Sequence, residues 1–171
     1  MREQQRKLTR LVGFDYSSDG AYFVTICTKN REALFGDVGA DSISARMVTN
    51  IFKETIERFP GIDSPVFVVM PNHFHAIITI SCKHPGQRAD IESAPTTLSK
   101  VIQSFKRHST LEYIKLVKSG LAAPFDKHVW QRSFHDHIIR NEQDFLSIWE
   151  YIENNPATWN KDCYNELHPH V

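Results

Sequence analysis

The chain has 171 residues, 41% of them hydrophobic, and its 20 basic and 20 acidic side chains leave no net charge. That length suits one compact domain with a buried core, and the apolar content, including 11 phenylalanines, excludes a disordered chain. Cys27, Cys82 and Cys163 are odd in number and far apart, which excludes a disulfide scaffold, gives no support to a cysteine zinc site and points to a reduced, cytoplasmic protein.

Residues 1–14 read as a polar arm carrying Arg2, Arg6, Lys7 and Arg10 against Glu3, with no apolar core of the kind a secretory signal needs. No run anywhere approaches membrane length. Residues 21–28 alternate as a strand, and 29–40 form a loop through Gly36 and Gly39. From Ser42 to Phe59, the residues Ile43, Met47, Ile51, Thr55 and Phe59 recur at helical spacing until Pro60-Gly61 ends the helix. Residues 65–70 and 74–81 read as paired strands turned at Pro71-Asn72. Lys83 to Pro95 is a polar loop, and Thr97 to Val117 is helical, with His108-Ser109 as the place where a break is admissible. After a loop through Gly120 and Pro124, His128 to Ile139 reads as a strand and Glu142 to Asn155 as a last helix. The order β-α-β-β-α-β-α predicts an antiparallel sheet with helices on one face, a ferredoxin-like α+β fold, and no linker divides residues 1–171 into more than a single domain.

The neutral total hides an uneven distribution. Residues 96–118 carry Lys100, Lys106, Arg107, Lys115 and Lys118 against Glu112, whereas the tail after Asn141 is acidic through Glu142, Asp144, Glu150, Glu153, Asp162 and Glu166. The arm, with Arg6, Lys7 and Arg10, and the helix, with Lys100, Lys106 and Arg107, are the candidate phosphate contacts. Either stretch alone reads equally as an ordinary solvated face.

Two motifs carry chemistry. His73-Phe74-His75 lies in an apolar strand, where residues two apart share a face, so both imidazoles can meet one divalent cation while Phe74 points into the core. The same pair also fits two hydrogen-bonded histidines. In the last helix, Phe145, Ile148, Trp149 and Ile152 form the buried stripe, and Asp144, Ser147, Tyr151 and Asn155 follow the adjoining face, which puts Tyr151 at its border. Asn155, one turn on, precedes Pro156 and so reads as the last residue or the cap. His135 and His137 also alternate on the expected strand and flank Asp136, a rival metal pair. Tyr113, a rival nucleophile, sits among Leu111, Ile114 and Val117 and reads as core.

The His-hydrophobic-His strand and the later Tyr-Ile-x-x-Asn-Pro helix resemble the HUH superfamily of single-tyrosine DNA transposases, and within it the REP-associated tyrosine transposases. Three further stretches match that branch: Tyr22 to Thr28 with Leu34-Phe35-Gly36, Val69 to His75, and Trp130 to His137, so that the likeness spans roughly residues 10–156 in the family's order. The resemblance implies the same ferredoxin-like fold and, because the family pattern contains the Trp130 to His137 stretch without using it as the metal site, structural or DNA-contacting roles for His135 and His137. It implies that Tyr151 is the nucleophile, that His73 and His75 hold Mg²⁺ or Mn²⁺, and that Asn155 is the third ligand or orients the site. Histidine is an indifferent ligand for magnesium, so ligand chemistry alone favours manganese or zinc. The expected activity is metal-dependent cleavage and strand transfer of single-stranded DNA at palindromic hairpins, through a 5′-phosphotyrosine. The expected setting is the bacterial cytoplasm, at the nucleoid and off any membrane, as a monomer or homodimer. The alternative is a hairpin-DNA-binding protein of the same fold that no longer cuts. A third reading, a histidine-based metal hydrolase without a covalent step, makes Tyr151 dispensable.

Overall fold

The computed structural model describes residues 19–38, 42–81 and 97–165. Arg6, Lys7 and Arg10 of the expected arm, and the polar loop of residues 83–95, lie outside the described residues. The elements run β1 (Gly20–Cys27), α1 (Ile43–Arg58), β2 (Ile62–Met70), β3 (His73–Ile80), α2 (Leu98–Lys118), β4 (His135–Ile139) and α3 (Glu142–Asn154), with short 3-10 turns at Lys29–Arg31 and Trp159–Lys161. The sheet order is β2-β3-β1-β4, antiparallel throughout. This is the ferredoxin-like α+β arrangement expected from the sequence, with β1 and β3 central. Among the described residues, no helix is long and apolar enough to cross a membrane.

Local chemistry sets the helix starts. Ser42 Oγ accepts from the Ala45 amide at the head of α1, Thr97 Oγ1 from Lys100 at α2, and the Asn141 side chain from Asp144 at α3. Each cap satisfies an amide that the first helical turn leaves without a partner. Pro71-Asn72 turns β2 into β3 with Met70 opposite His73. That register decides which side chains share a face with the histidines.

Helices cover both faces of the sheet, where one covered face was expected. On one face, α1 and α2 pack over Phe74, whose ring lies 4.7 Å from Phe52 and 5.0 Å from Phe105 between centroids. On the other, Ile152, Phe145, Ile148 and Trp149 of α3 pack against Val66, Ile77, Phe23 and Val68. A helical stripe tells which side of a helix is buried but not which sheet face receives it. The near-continuous burial of β3 reflects cover on both sides.

Some details differ from the sequence reading, among them the start of β2 at Ile62 where residue 65 was expected. The expected strand of residues 128–139 is regular only in β4; its first part bonds irregularly to the chain after β1, through a bridge of Trp130 to Thr28. α2 runs unbroken through His108-Ser109, because Ser109 Oγ donates to Phe105 O at 2.7 Å and accepts from Trp130 Nε1 at 2.9 Å. Asn155 is the cap of α3, as expected, although its backbone angles, φ −55° and ψ −43°, stay helical despite the following proline.

Candidate active site

Alternation along β3 places His73 and His75 on the α3 face and Phe74 on the other. Both imidazoles are buried, at 0% and 1% exposure, with ring centroids 4.4 Å apart. Each is held by its Nδ1. His75 Nδ1 lies 2.8 Å from Oγ1 of Thr25, its cross-strand neighbour, and His73 Nδ1 lies 2.9 Å from Asn72 Oδ1. The Asn72 amide donates to Arg31 O and Tyr164 O, so its Oδ1 is an acceptor and the network assigns the His73 proton to Nδ1. His73 Nε2 is therefore a bare lone pair, buried with no hydrogen-bond partner.

α3 brings Tyr151 beside this pair. Its hydroxyl lies 3.4 Å from His75 Nε2, and its ring stands edge-on to Phe23, 5.9 Å between centroids. At 41% exposure the phenol remains open to a large substrate. The border position read from the helical spacing is thus where Tyr151 sits. Asn155 is buried; its Nδ2 donates to Asp162 Oδ2 at 2.6 Å, and its Oδ1 has no partner.

The sequence reading missed Asp162, which it counted only within an acidic tail. The chain after α3 turns back over the histidines: Tyr164 lies 4.8 Å and Trp159 5.7 Å from the His73 ring, between centroids. Asp162 Oδ2 consequently stands 3.9 Å from His73 Nε2, and its Oδ1 accepts from the Tyr164 amide at 2.7 Å. The one available signal was chemical, a carboxylate shortly after a turn that ends the tyrosine helix; no periodicity marks it.

Burial, more than any charge, holds His73 below the ordinary imidazole range, with the Asp162 carboxylate pulling the other way. Burial also holds His75 well down, reinforced by His73. Both are neutral at pH 7, the state a metal ligand needs. Burial and then the Asp162 charge push the Tyr151 phenol well above its usual value, so it is protonated at rest.

A divalent cation fits this donor set. Ligand atoms of His73, His75 and Asp162 lie within 4.8 Å of one another, close to the separation of about 3–4 Å between atoms sharing one such ion. The orphaned His73 Nε2 and Asn155 Oδ1 are acceptors without donors, which a cation would satisfy. The rival histidines behave differently. His137 Nε2 bonds Asp144 Oδ2 at 2.9 Å, tying β4 to the first turn of α3, and neither His135 nor His137 joins such a cluster among the described residues. Tyr113 is fully buried, its hydroxyl donating to Leu34 O and Ala123 O, as the reading of it as core requires.

The basic residues of α2 lie across the sheet from Tyr151. Exposed Lys100 and Arg107 line a shallow groove with Gln103, Ser104 and His108. The Lys106 ammonium donates to Gln131 O at 2.9 Å and Ser133 O at 2.8 Å, fastening the irregular segment before β4.

Comparison with known proteins agrees with this architecture. Residues 16–155 match the model of the family described as IS200-like transposase. An uncharacterised protein of Haemophilus influenzae is 36% identical over 167 residues, covering 92% of this chain and 91% of the relative. A second H. influenzae protein, provisionally named a REP-associated tyrosine transposase, is 24% identical over 84% of this chain and 73% of its own length. Among solved structures, a REP-associated tyrosine transposase bound to a REP hairpin superposes with a TM-score of 0.56 at 22% identity, covering 99% of this chain and 89% of that one. A provisionally named transposase of Deinococcus radiodurans gives 0.51 at 17%, covering 85% of this chain and 95% of the other. At those identities the structural likeness is one of fold. The family match spans both the His73-Phe74-His75 strand and the Tyr151 helix, and on it the chain belongs to the IS200-like transposases.

Proposed function

We propose that this protein is a metal-dependent single-stranded DNA endonuclease and strand transferase that acts on palindromic hairpins through a 5′-phosphotyrosine intermediate. The observation that carries the reading is the hydroxyl of half-exposed Tyr151, 3.4 Å from His75 Nε2 and beside buried acceptors that lack a donor. His73 and His75 would hold Mg²⁺ or Mn²⁺ through their Nε2 atoms, with Asn155 Oδ1 as a third donor. When bound, the cation polarises the scissile phosphate and eases loss of the phenolic proton.

Tyr151 Oη attacks phosphorus, the bond from phosphorus to the 3′-oxygen breaks, and that oxygen takes a proton and leaves as a 3′-hydroxyl. The downstream strand stays joined to Tyr151 through its 5′-phosphate, while the phenolic proton passes to solvent on the open side of the ring. One phosphodiester replaces another, so a 3′-hydroxyl can reverse the step and joining needs no nucleotide cofactor. Thr25 and Asn72 hold the two imidazole rings by their Nδ1 atoms, which leaves both Nε2 atoms facing the site.

Lys100 and Arg107, with Arg6, Lys7 and Arg10 of the arm, would contact phosphates. Lys106, held by two carbonyls, would add its charge to the groove. The partner would be single-stranded or hairpin DNA of the REP type, met in the bacterial cytoplasm at the nucleoid by one domain acting as a monomer or homodimer. A hairpin-binding protein that no longer cuts is the alternative; Tyr151, His73, His75 and Asn155 all converging on one site favours the enzyme. Incubating the protein with the host's palindromes as single strands and as duplexes, with and without Mn²⁺, tests it. Cleavage of the single strand only, and only with metal, is expected. Binding without cleavage under every metal would favour the alternative.

A further inference from the structure

We infer that Asp162 is itself a metal ligand, an anionic fourth donor that joins His73, His75 and Asn155 from the segment following the tyrosine helix. This rests on the reading of His73 and His75 as metal ligands.

The Asp162 side chain is 1% exposed, and its ion-pair partner is His73, at 3.9 Å. Asn72 takes up His73 Nδ1, while the buried Nε2 has no hydrogen-bond partner and faces a carboxylate oxygen across a gap too wide for a hydrogen bond. Its hydrogen bonds from Asn155 Nδ2 at 2.6 Å and the Tyr164 amide at 2.7 Å come from neutral dipoles, and the Arg31 guanidinium is engaged by Cys163 O and the Tyr164 ring. A buried carboxylate needs a compensating charge, and two facing acceptors need something positive between them. A divalent cation meets both needs at once.

Asn155 has a matching arrangement. Its amide donates to Asp162 through Nδ2 and keeps Oδ1 buried and unpartnered. An amide bonded to a carboxylate in this way can share one cation with it, each contributing an oxygen. The donor set then becomes two imidazole nitrogens, an amide oxygen and a carboxylate oxygen. Such a set suits Mn²⁺, and tolerates Mg²⁺, better than imidazoles alone, and an octahedral ion keeps two positions for phosphate oxygens. Binding also becomes linked to the folding of the segment that carries Asp162, which Trp159 and Tyr164 seat against His73.

Calorimetric titration with Mn²⁺, on full-length wild type, Asp162→Asn and His75→Ala, tests the assignment without reference to cleavage. Loss of a partner one step removed from a metal costs about 10–100-fold in affinity, so loss of the ligand itself should weaken Mn²⁺ binding by about a hundredfold or more. Without metal, Asp162→Asn should keep the wild-type fold, checked by circular dichroism, because a flipped Asn155 amide can accept through Oδ1 from the new amide nitrogen. If Asp162→Asn binds Mn²⁺ within about threefold of wild type while His75→Ala loses it, Asp162 is no ligand and the histidine reading stands. If His75→Ala also binds like wild type, the histidine reading fails and this inference with it. Should Asp162→Asn not fold, Asp162→Ser is titrated by the same criterion. Failure of both to fold without metal overturns the ligand role in favour of a structural carboxylate.

Discussion

Two buried neutral imidazoles make stability fall steeply in mild acid. His73 and His75 have pKa values lowered from the ordinary 6.5 chiefly by burial, while in the unfolded chain both regain it. The unfolded state therefore binds more protons as pH drops below 6.5. The stability held above that pH is lost progressively toward the depressed folded values. One proton of difference is worth about 1.4 kcal/mol per pH unit, so two histidines give a slope approaching about 3 kcal/mol per unit well below pH 6.5. Between pH 7.5 and 5.0 the loss is about 4 kcal/mol, a large part of the 5–15 kcal/mol typical of a domain. Urea unfolding in EDTA at pH 7.5, 6.0 and 5.0 measures it, and His75→Asn should remove about half the dependence. A stability constant within about 1 kcal/mol across that range would refute the reasoning, since it would mean that the folded protein takes up those protons without penalty.

Tyr151→Phe loses one hydroxyl whose contact to His75 is 3.4 Å and keeps the ring against Phe23, so unfolding should change by no more than about 1 kcal/mol. Cleavage should drop by at least about 10⁴-fold while hairpin affinity holds; undiminished cutting would promote a hydrolase without a covalent step. His73→Ala and His75→Ala should abolish divalent-metal binding by calorimetry, whereas His135→Ala, outside the cluster, should retain it. Hairpin binding should weaken steeply with salt despite the zero net charge, and Arg107→Ala, Lys100→Ala or removal of the arm through Arg10 should each lower the salt slope by about one for every phosphate no longer neutralised. An arm deletion that leaves affinity and slope unchanged would make that segment an ordinary polar terminus.

What the sequence made legible follows from short-range periodicity. Alternation placed His73 and His75 on one face and Phe74 on the other, and helical spacing put Tyr151 at the edge of the α3 stripe; both hold in the structure. The two faces of cover were not legible, because packing of α3 against Val66 and Ile77 depends on strand order, which no local pattern encodes. Nor was Lys106's use as a clamp, since its acceptors, Gln131 O and Ser133 O, belong to backbone that is irregular and distant in sequence. Asp162 escaped for a similar reason. It reaches the histidines only after the chain passes Pro156 and the Trp159–Lys161 turn, so its spacing from Tyr151 carries no geometric meaning until the turn is known.

The central claim is a covalent bond between Tyr151 and DNA. Wild-type protein is incubated with Mn²⁺ and a single-stranded palindrome labelled on the 3′ side of the cut, then resolved on a denaturing gel, and the labelled peptide is sequenced by mass spectrometry. The account predicts a labelled protein band whose nucleotide maps to Tyr151 and which Tyr151→Phe does not form. Cleavage products without any protein-bound label, or a label mapping to Tyr164 or another residue, would contradict it.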